Sequence, residues 1–261
     1  MNDQDRRGAG EEVVFRLNPL FEILKSSPRR INKVFVQKER GHRRIGEIIR
    51  EARDGNIPVI FVPKSKLDQM AGHHQGAVAF ISPWEFAPLE KILAGSRNPF
   101  LVLLDEVEDP QNLGAIIRTA ECAGVDGLIL PEHRSAGLTE AVSTVAAGAL
   151  EHVRVARVTN LARTMDELKE KGLWFVGAEG GGKDLWYEFD YTTPVGIVLG
   201  SEGRGLRPLV RKKCDKILSI PLLGHIGSLN VSAAAAVFLF EAARQRLRSP
   251  LRPQAKTPET T

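Results

Sequence analysis

The sequence predicts an α/β protein: a small N-terminal module followed by a larger domain built on a parallel sheet. Three observations predict it. Short apolar runs alternate with amphipathic helical stretches along most of the chain, the pattern of strands covered on both faces by helices. A segment at 82–98, flanked and punctuated by Pro83, Pro88 and Pro99, divides that alternation in two. Three polar stretches, 112–119, 200–205 and 220–232, each lie just beyond an apolar run. They therefore gather at one edge of a sheet, and parallel sheets bind ligands beyond the carboxyl ends of their strands.

Residues 1–12 are polar and contain glycine, and are expected to form a disordered leader. The module at 13–81 then runs helix 18–24, strand 33–36, helix 45–53, strand 58–62, short helix 65–70 and strand 76–81. Its strands are rich in Val, Ile and Phe, and its longer helix repeats apolar residues at helical spacing. The segment at 82–98 is a linker around a short helix at 89–94. In the domain at 99–248, near-continuous apolar runs predict strands at 100–104, 127–130, 153–156, 174–177, 195–199 and 216–220. Helical patterns fill the intervals at 113–123, 138–147, 161–171 and 208–213, and a long one closes the domain at 231–247. Residues 249–261 have little to bury and are expected to be a flexible tail.

Composition narrows the function. With 261 residues, 43% of them hydrophobic and 26% charged, the chain has the makeup of a globular protein able to bury its own core. The two cysteines, Cys122 and Cys214, are far apart, so neither a disulfide framework nor a zinc cluster is expected and a reducing compartment fits. No run approaches the ~20 apolar residues of a membrane span, and the start lacks the apolar core of a secretory signal, so a cytoplasmic location without membrane contact is expected. The net charge of +4 is too mild to name a partner, but Arg29, Arg30, Lys33, Arg43 and Arg44 crowd one segment of the N-terminal module. Such a segment suits RNA phosphates, and equally a solvated helix face paired with Glu47 and Glu51.

Each polar stretch has a local and a chemical reading. Asn112 is a potential helix N-cap, whereas Arg118, among apolar Ile116, Ile117 and Ala120, calls for a phosphate, a carboxylate or water. The glycines of 200–205 let backbone approach a ligand, and Glu202 is placed to complement a helix dipole or to act chemically. Ser228 or Asn230 would cap the last helix. Two other features are weaker. Residues 177–183 have phosphate-loop spacing, but Asp184 stands where a Ser or Thr hydroxyl would hold magnesium. His73 and His74 have no companions at metal spacing, which leaves a loop role or RNA contact and no metal site.

Taken together, 112–119, 200–205 and 220–232 resemble the three motifs of the SpoU family of RNA ribose 2′-O-methyltransferases. That resemblance implies a C-terminal domain tied in a deep trefoil knot and S-adenosylmethionine as cofactor. It implies Arg118 as the essential residue, with Asn112, Glu202, Ser228 and Asn230 at the reacting end. It also implies Ala178, Leu199, Gly200, Ile220 and Leu229 around the cofactor. Residues 134–138, 158–165 and 239–246 are similar to the branch that methylates a guanosine ribose in the peptidyl-transferase region of 23S ribosomal RNA. His74-Gln75-Gly76 resembles the end of that branch's ribosomal-protein-L30e-like substrate domain. The module would then bind RNA, as naked 23S rRNA or its assembly precursor, through Arg29, Arg30, Arg43, Arg44 and His74. The chain departs from the branch at Arg16, where glycine is usual, and at Gly227, where Ser or Thr is common.

Family members are homodimers with active sites at the subunit boundary. Because guanidinium keeps its proton, Arg118 is expected to stabilise the ribose alkoxide or clamp a phosphate while water or Glu202 takes the proton. Two alternatives share parts of this reading: a tRNA methyltransferase of the same superfamily, and a non-catalytic RNA-binding or ribosome-assembly protein.

Overall fold

The structure is a computed structural model and describes residues 11–26, 28–38 and 43–248. It divides into two compact units, one formed by the chain up to Glu85 with Leu138–Glu140, the other by Phe86–Gly137 and the chain from Ala141. Most of the expected leader and all of the expected tail lie outside the described residues. Among the described residues no helix is long and apolar enough to cross a membrane.

In the first unit, strands β1 (Glu12–Val14), β2 (Ile31–Gln37), β3 (Val59–Val62) and β4 (Ala77–Ile81) form a sheet in the order β1-β4-β2-β3. Alternation in β2 and β4 sets two apolar layers. Val34, Val36, Ala77, Ala79 and Ile81 face α1 (Leu17–Ser26) and α2 (Arg43–Asp54), while Phe35, Val78 and Phe80 face α3 (Lys64–Met70). Glu12 corrects the expected leader boundary: it opens β1, which runs antiparallel to β4 with Glu12 opposite Ile81. A three-residue strand that opens on a charged residue carries little periodicity, yet it covers an edge that β4 would otherwise expose.

The second unit holds seven strands, all neighbours parallel: β5 (Phe100–Asp105), β6 (Gly127–Pro131), β7 (Arg154–Val158), β8 (Trp174–Ala178), β9 (Asp184–Leu185), β10 (Val195–Gly200) and β11 (Lys216–Ser219). Their order is β7-β6-β5-β10-β8-β11-β9. One apolar layer joins α4 (Leu89–Leu93), α7 (Leu161–Lys169) and α8 (Pro208–Lys213) to the sheet through Ile92, Met165, Leu168 and Val210. Elsewhere α5 (Pro110–Cys122) packs against α9 (Val231–Arg248), and Gly114 of α5 lies against α6 (Glu140–Ala146). The last helix is anchored by Arg246, 2% exposed, whose guanidinium donates to the carbonyls of Tyr191, Asn98, Pro99 and Thr193 at 2.7, 3.0, 3.3 and 2.6 Å.

Candidate active site

At the carboxyl end of the sheet, β10 lies between β5 and β8. The loop after β10 leads into α8, and two arginines of that segment reach to either side. Arg207 grips Asp105, the fully buried last residue of β5: Nε donates to Oδ1 at 2.7 Å and the backbone N–H to Oδ2 at 2.8 Å. Arg211, one turn on, donates through Nε to Oε2 of Glu179, just past β8, at 2.5 Å. The loop that precedes them is closed on itself by paired backbone bonds between Ser201 and Gly205, 3.2 and 3.0 Å. A Cβ on Gly200 would stand 2.2 Å from the carbonyl carbon of Gly205, so only glycine fits there.

That anchored loop carries Glu202 to two asparagines from distant parts of the chain. Asn112 Nδ2 donates to Glu202 Oε1 at 3.2 Å, and Asn230 Nδ2 donates to Asn112 Oδ1 at 2.8 Å and also to Glu202 Oε1. The backbone N–H of Val231 reaches the same carboxylate oxygen at 3.4 Å. Asn112 is not the cap of α5. Asp109 is, accepting from the Gln111 N–H at 3.1 Å with Pro110 opening the helix, so α5 starts earlier than the apolar pattern indicates and Asn112 turns inward. Asn230 does cap α9, its Oδ1 accepting from Ser232 N–H at 2.9 Å and Ala233 N–H at 3.3 Å. Glu202 complements the start of α9 instead of α8.

Two adjoining cavities flank this cluster. One is walled by Ala178, Leu199, Gly200, Ile220 and Leu229, with Glu179, Ser201, Glu202, Arg204 and Ser228 as its polar members and Phe238 of α9 among its apolar ones. Its volume of about 300 Å³ is at the lower end of small-molecule sites. The second shares Glu202 and Arg204 and is lined by Asn112, Glu106, Glu108 and Asp109. Glu106 and Arg134 both adopt positive φ, 62° and 56°, and are joined by a 2.9 Å ion pair.

Arg118 lies elsewhere. It is exposed on the face of α5 that also shows Gln111 and Cys122, lines neither cavity, and has no ion pair among the described residues. Of the five residues expected at RNA, Arg29 and Arg43 are exposed. The other three are held by partners within the protein. Arg30 is 7% exposed, its Nε bound to the Ser82 carbonyl at 2.9 Å and its guanidinium stacked 4.3 Å from the Trp84 ring centre. Arg44 lies 3.8 Å from the Phe21 ring centre and pairs with Glu47 at 2.9 Å. The His74 ring is 2% exposed, with Nδ1 accepting the Gly76 N–H at 3.1 Å and Nε2 held 2.9 Å from Asp68. Both arginines lay a planar cation on an aromatic face, and the histidine ties off a turn; charge in a sequence does not reveal either. The loop at 177–183 leads into β9 and not into a helix, which removes the phosphate-loop geometry. Among the described residues no cluster of His, Cys, Asp or Glu suits a metal ion.

Sequence reasoning missed Asp105, Arg207, Glu179 and Arg211. The one available signal was a carboxylate at or just after the end of two apolar strands, with arginines four apart at the start of a helix.

Known proteins share the sequence and fold of this chain. The family model described as the SpoU rRNA Methylase family matches residues 99–240, and one described as RNA 2′-O ribose methyltransferase substrate binding matches residues 14–87. A Bacillus subtilis protein assigned to the TrmH family of tRNA/rRNA methyltransferases is 40% identical over 90% of this chain and 96% of its own length. The crystal structure of the SpoU methyltransferase AviRb from Streptomyces viridochromogenes, in complex with the cofactor AdoMet, superposes with a TM-score of 0.71 at 27% identity, covering 92% of both chains. The A. aeolicus TrmH/SpoU tRNA modifying enzyme, 31% identical, matches 58% of this chain and 76% of its own with a TM-score of 0.52.

Proposed function

The chain belongs to the SpoU rRNA methylase family, and from that premise we propose that it transfers a methyl group from S-adenosylmethionine to the ribose 2′-hydroxyl of a guanosine in 23S ribosomal RNA. The observation that carries the reading is the meeting of Asn112, Glu202 and Asn230, from three separate motifs, beside a cavity with apolar walls that Glu202 lines.

The cavity fits the cofactor. Leu199, Ile220, Leu229 and Phe238 offer apolar surface to a purine, and the close approach of Gly200 to Gly205 makes a backbone cradle that a side chain would fill. When bound, S-adenosylmethionine supplies an electrophilic methyl group on a sulfonium. Ala178, Leu199, Gly200, Ile220 and Leu229 would hold it. The protein's own task is alignment and management of one proton. Three N–H donors converge on Oε1 of Glu202. Oε2, with no hydrogen bond among the described residues, is the oxygen left to take the hydroxyl proton directly or through water. Ser228, exposed on the cavity wall, is free to contact the sugar.

Arg118 remains the cation assigned to the developing alkoxide or its phosphate. Because it faces outward on α5, we assign it to the cavity of a second protomer in a homodimer. The outward stripe of α9 supports that assembly: Ala233, Phe240 and Leu247 lie on it, the last two 52% and 65% exposed. The loop carrying Leu223, fully exposed, and Ile226, 78% exposed, offers further apolar surface. The trefoil knot belongs to the same proposal, with residues 220–232 as its threaded segment. In the N-terminal module, the family-model match to RNA substrate binding and exposed Arg29 and Arg43 support recognition of folded RNA by shape and unpaired bases.

A transfer-RNA substrate is the second reading, favoured by the likeness to the A. aeolicus tRNA modifying enzyme. Mapping ribose methylation in RNA from a strain lacking the gene separates the two: loss at one guanosine of 23S rRNA is expected, and loss confined to tRNA selects the alternative. In the purified protein, Arg118→Ala is expected to abolish methyl transfer while leaving cofactor affinity within about twofold by calorimetry. Equal losses in both would remove Arg118 from the reacting end.

A further inference from the structure

We propose that Glu179 is a cofactor-binding residue whose carboxylate accepts hydrogen bonds from the ribose hydroxyls of the adenosyl ligand. The inference rests on the reading that the apolar-walled cavity takes S-adenosylmethionine. Nothing in the sequence motifs points to Glu179, which follows β8 and lies outside all three in sequence.

The geometry makes it a ligand group in waiting. Glu179 lines the cavity next to Ala178 and Gly180, and its side chain is 23% exposed. Oε2 is engaged by Arg211 at 2.5 Å. Oε1 lies against Gly205, another wall residue, so closely that a Cβ there would stand 2.9 Å away. Among the described residues Oε1 accepts no hydrogen bond. A carboxylate oxygen on a cavity wall with no protein donor is open to a ligand that brings donors.

The chemistry of the donor follows from the ion pair. Arg211 cancels the charge of Glu179 but leaves its lone pairs, so the site attracts neutral O–H groups more than a second cation. A ribose presents two adjacent hydroxyls, whereas the amino-acid end of the cofactor presents an ammonium. The other ionisable groups on the wall, Glu202 and Arg204, come from the loop after β10; Glu202 is already committed to Asn112 and Asn230. The apolar residues Leu199, Ile220, Leu229 and Phe238 complete a pocket with the polarity of a nucleoside: flat apolar surface with one hydrogen-bonding side. Arg211 is then a positioning residue, acting through Glu179.

Calorimetry on the full chain tests this with four ligands: S-adenosylmethionine, S-adenosylhomocysteine, methylthioadenosine, which keeps the ribose and lacks the amino acid, and its 2′-deoxy analogue. Unmodified protein is expected to bind methylthioadenosine about 10-fold or more tighter than the deoxy analogue. Glu179→Gln should weaken methylthioadenosine by a similar factor and lose the ribose preference, so that the two changes are not additive. Equal affinity of the unmodified protein for the ribo and deoxy ligands overturns the proposal without any variant. A Glu179→Gln loss confined to S-adenosylhomocysteine moves the carboxylate to the amino-acid end and also overturns it, while the cofactor reading stands. If the unmodified protein binds neither S-adenosylmethionine nor S-adenosylhomocysteine, the cofactor reading itself fails, and this inference with it.

Discussion

Asn230 uses opposite ends of one amide for two tasks, capping α9 with Oδ1 and tying Asn112 to Glu202 with Nδ2. The tasks separate by substitution. Asn230→Ser keeps an oxygen for the cap and should hold stability within ~0.5 kcal/mol, since Ser and Asn are near-equal caps. Losing the amide N–H bridge should lower methyl transfer by ~100-fold, the scale of one preorganised polar group; activity retained at that stability would strip the cluster of its role. A second residue-scale prediction concerns Cys214. Burial pushes its thiol up to about 12, with Lys169 opposing. The unfolded thiol titrates near ~8.5, so above that pH the unfolded chain loses a proton the folded chain keeps. The stabilising contribution is therefore complete below ~8.5 and fades toward about 12, by at most ~1.4 kcal/mol per pH unit. Urea midpoints from pH 7 to 10 should fall more steeply for the native protein than for Cys214→Ala; parallel slopes would contradict the burial. The sequence showed Asn112, Glu202 and Asn230 because each sits in a patterned stretch. It hid Asp105 and Arg207, which meet across 102 residues, and it did not show that Arg30 and the His74 ring are buried, because residue type reveals charge but not burial.

At the scale of elements, the site depends on how closely α5 approaches its neighbours. A Cβ on Gly114 would stand 2.6 Å from Val145 Cβ and 2.8 Å from the Val142 carbonyl, both on α6. Helix propensity alone favours alanine there by ~1 kcal/mol, but the collision is with backbone and a branched side chain and should dominate. Gly114→Ala is expected to cost about 1–3 kcal/mol in denaturant unfolding and to weaken activity by shifting Asn112 two residues away. A stabilised variant would mean that the helices part freely. Helices and long strands were legible because apolar periodicity persists over many residues. The three-residue β1 and two-residue β9 were not, for pairing partners alone define them. The early start of α5 was readable only through Asp109-Pro110, a capping signal that precedes the apolar stripe.

At the scale of the molecule, the sheet order explains why three distant stretches share one cavity: β10 enters between β5 and β8, bringing the ends of strands far apart in sequence side by side. Alternation predicted a parallel sheet but not this order, which local sequence does not encode. The same arrangement leaves Arg118 outside the cavity of its own chain, and so makes a prediction about assembly. If each site takes Arg118 from the second protomer, Arg118→Ala and Glu202→Gln damage different halves of a shared site. Either homodimer should be inactive. Co-refolded at equal amounts, the two variants should form heterodimers in which one site carries both lesions and the other neither, restoring about a quarter of native sites under random pairing. Methyl transfer by the mixture, absent from each parent and matched by a dimer mass in light scattering, is the expected result. A mixture as inactive as its parents, while still dimeric, would require Arg118 to reach its own chain's cavity by a rearrangement of α5, because both lesions would then fall in separate sites and neither would be whole.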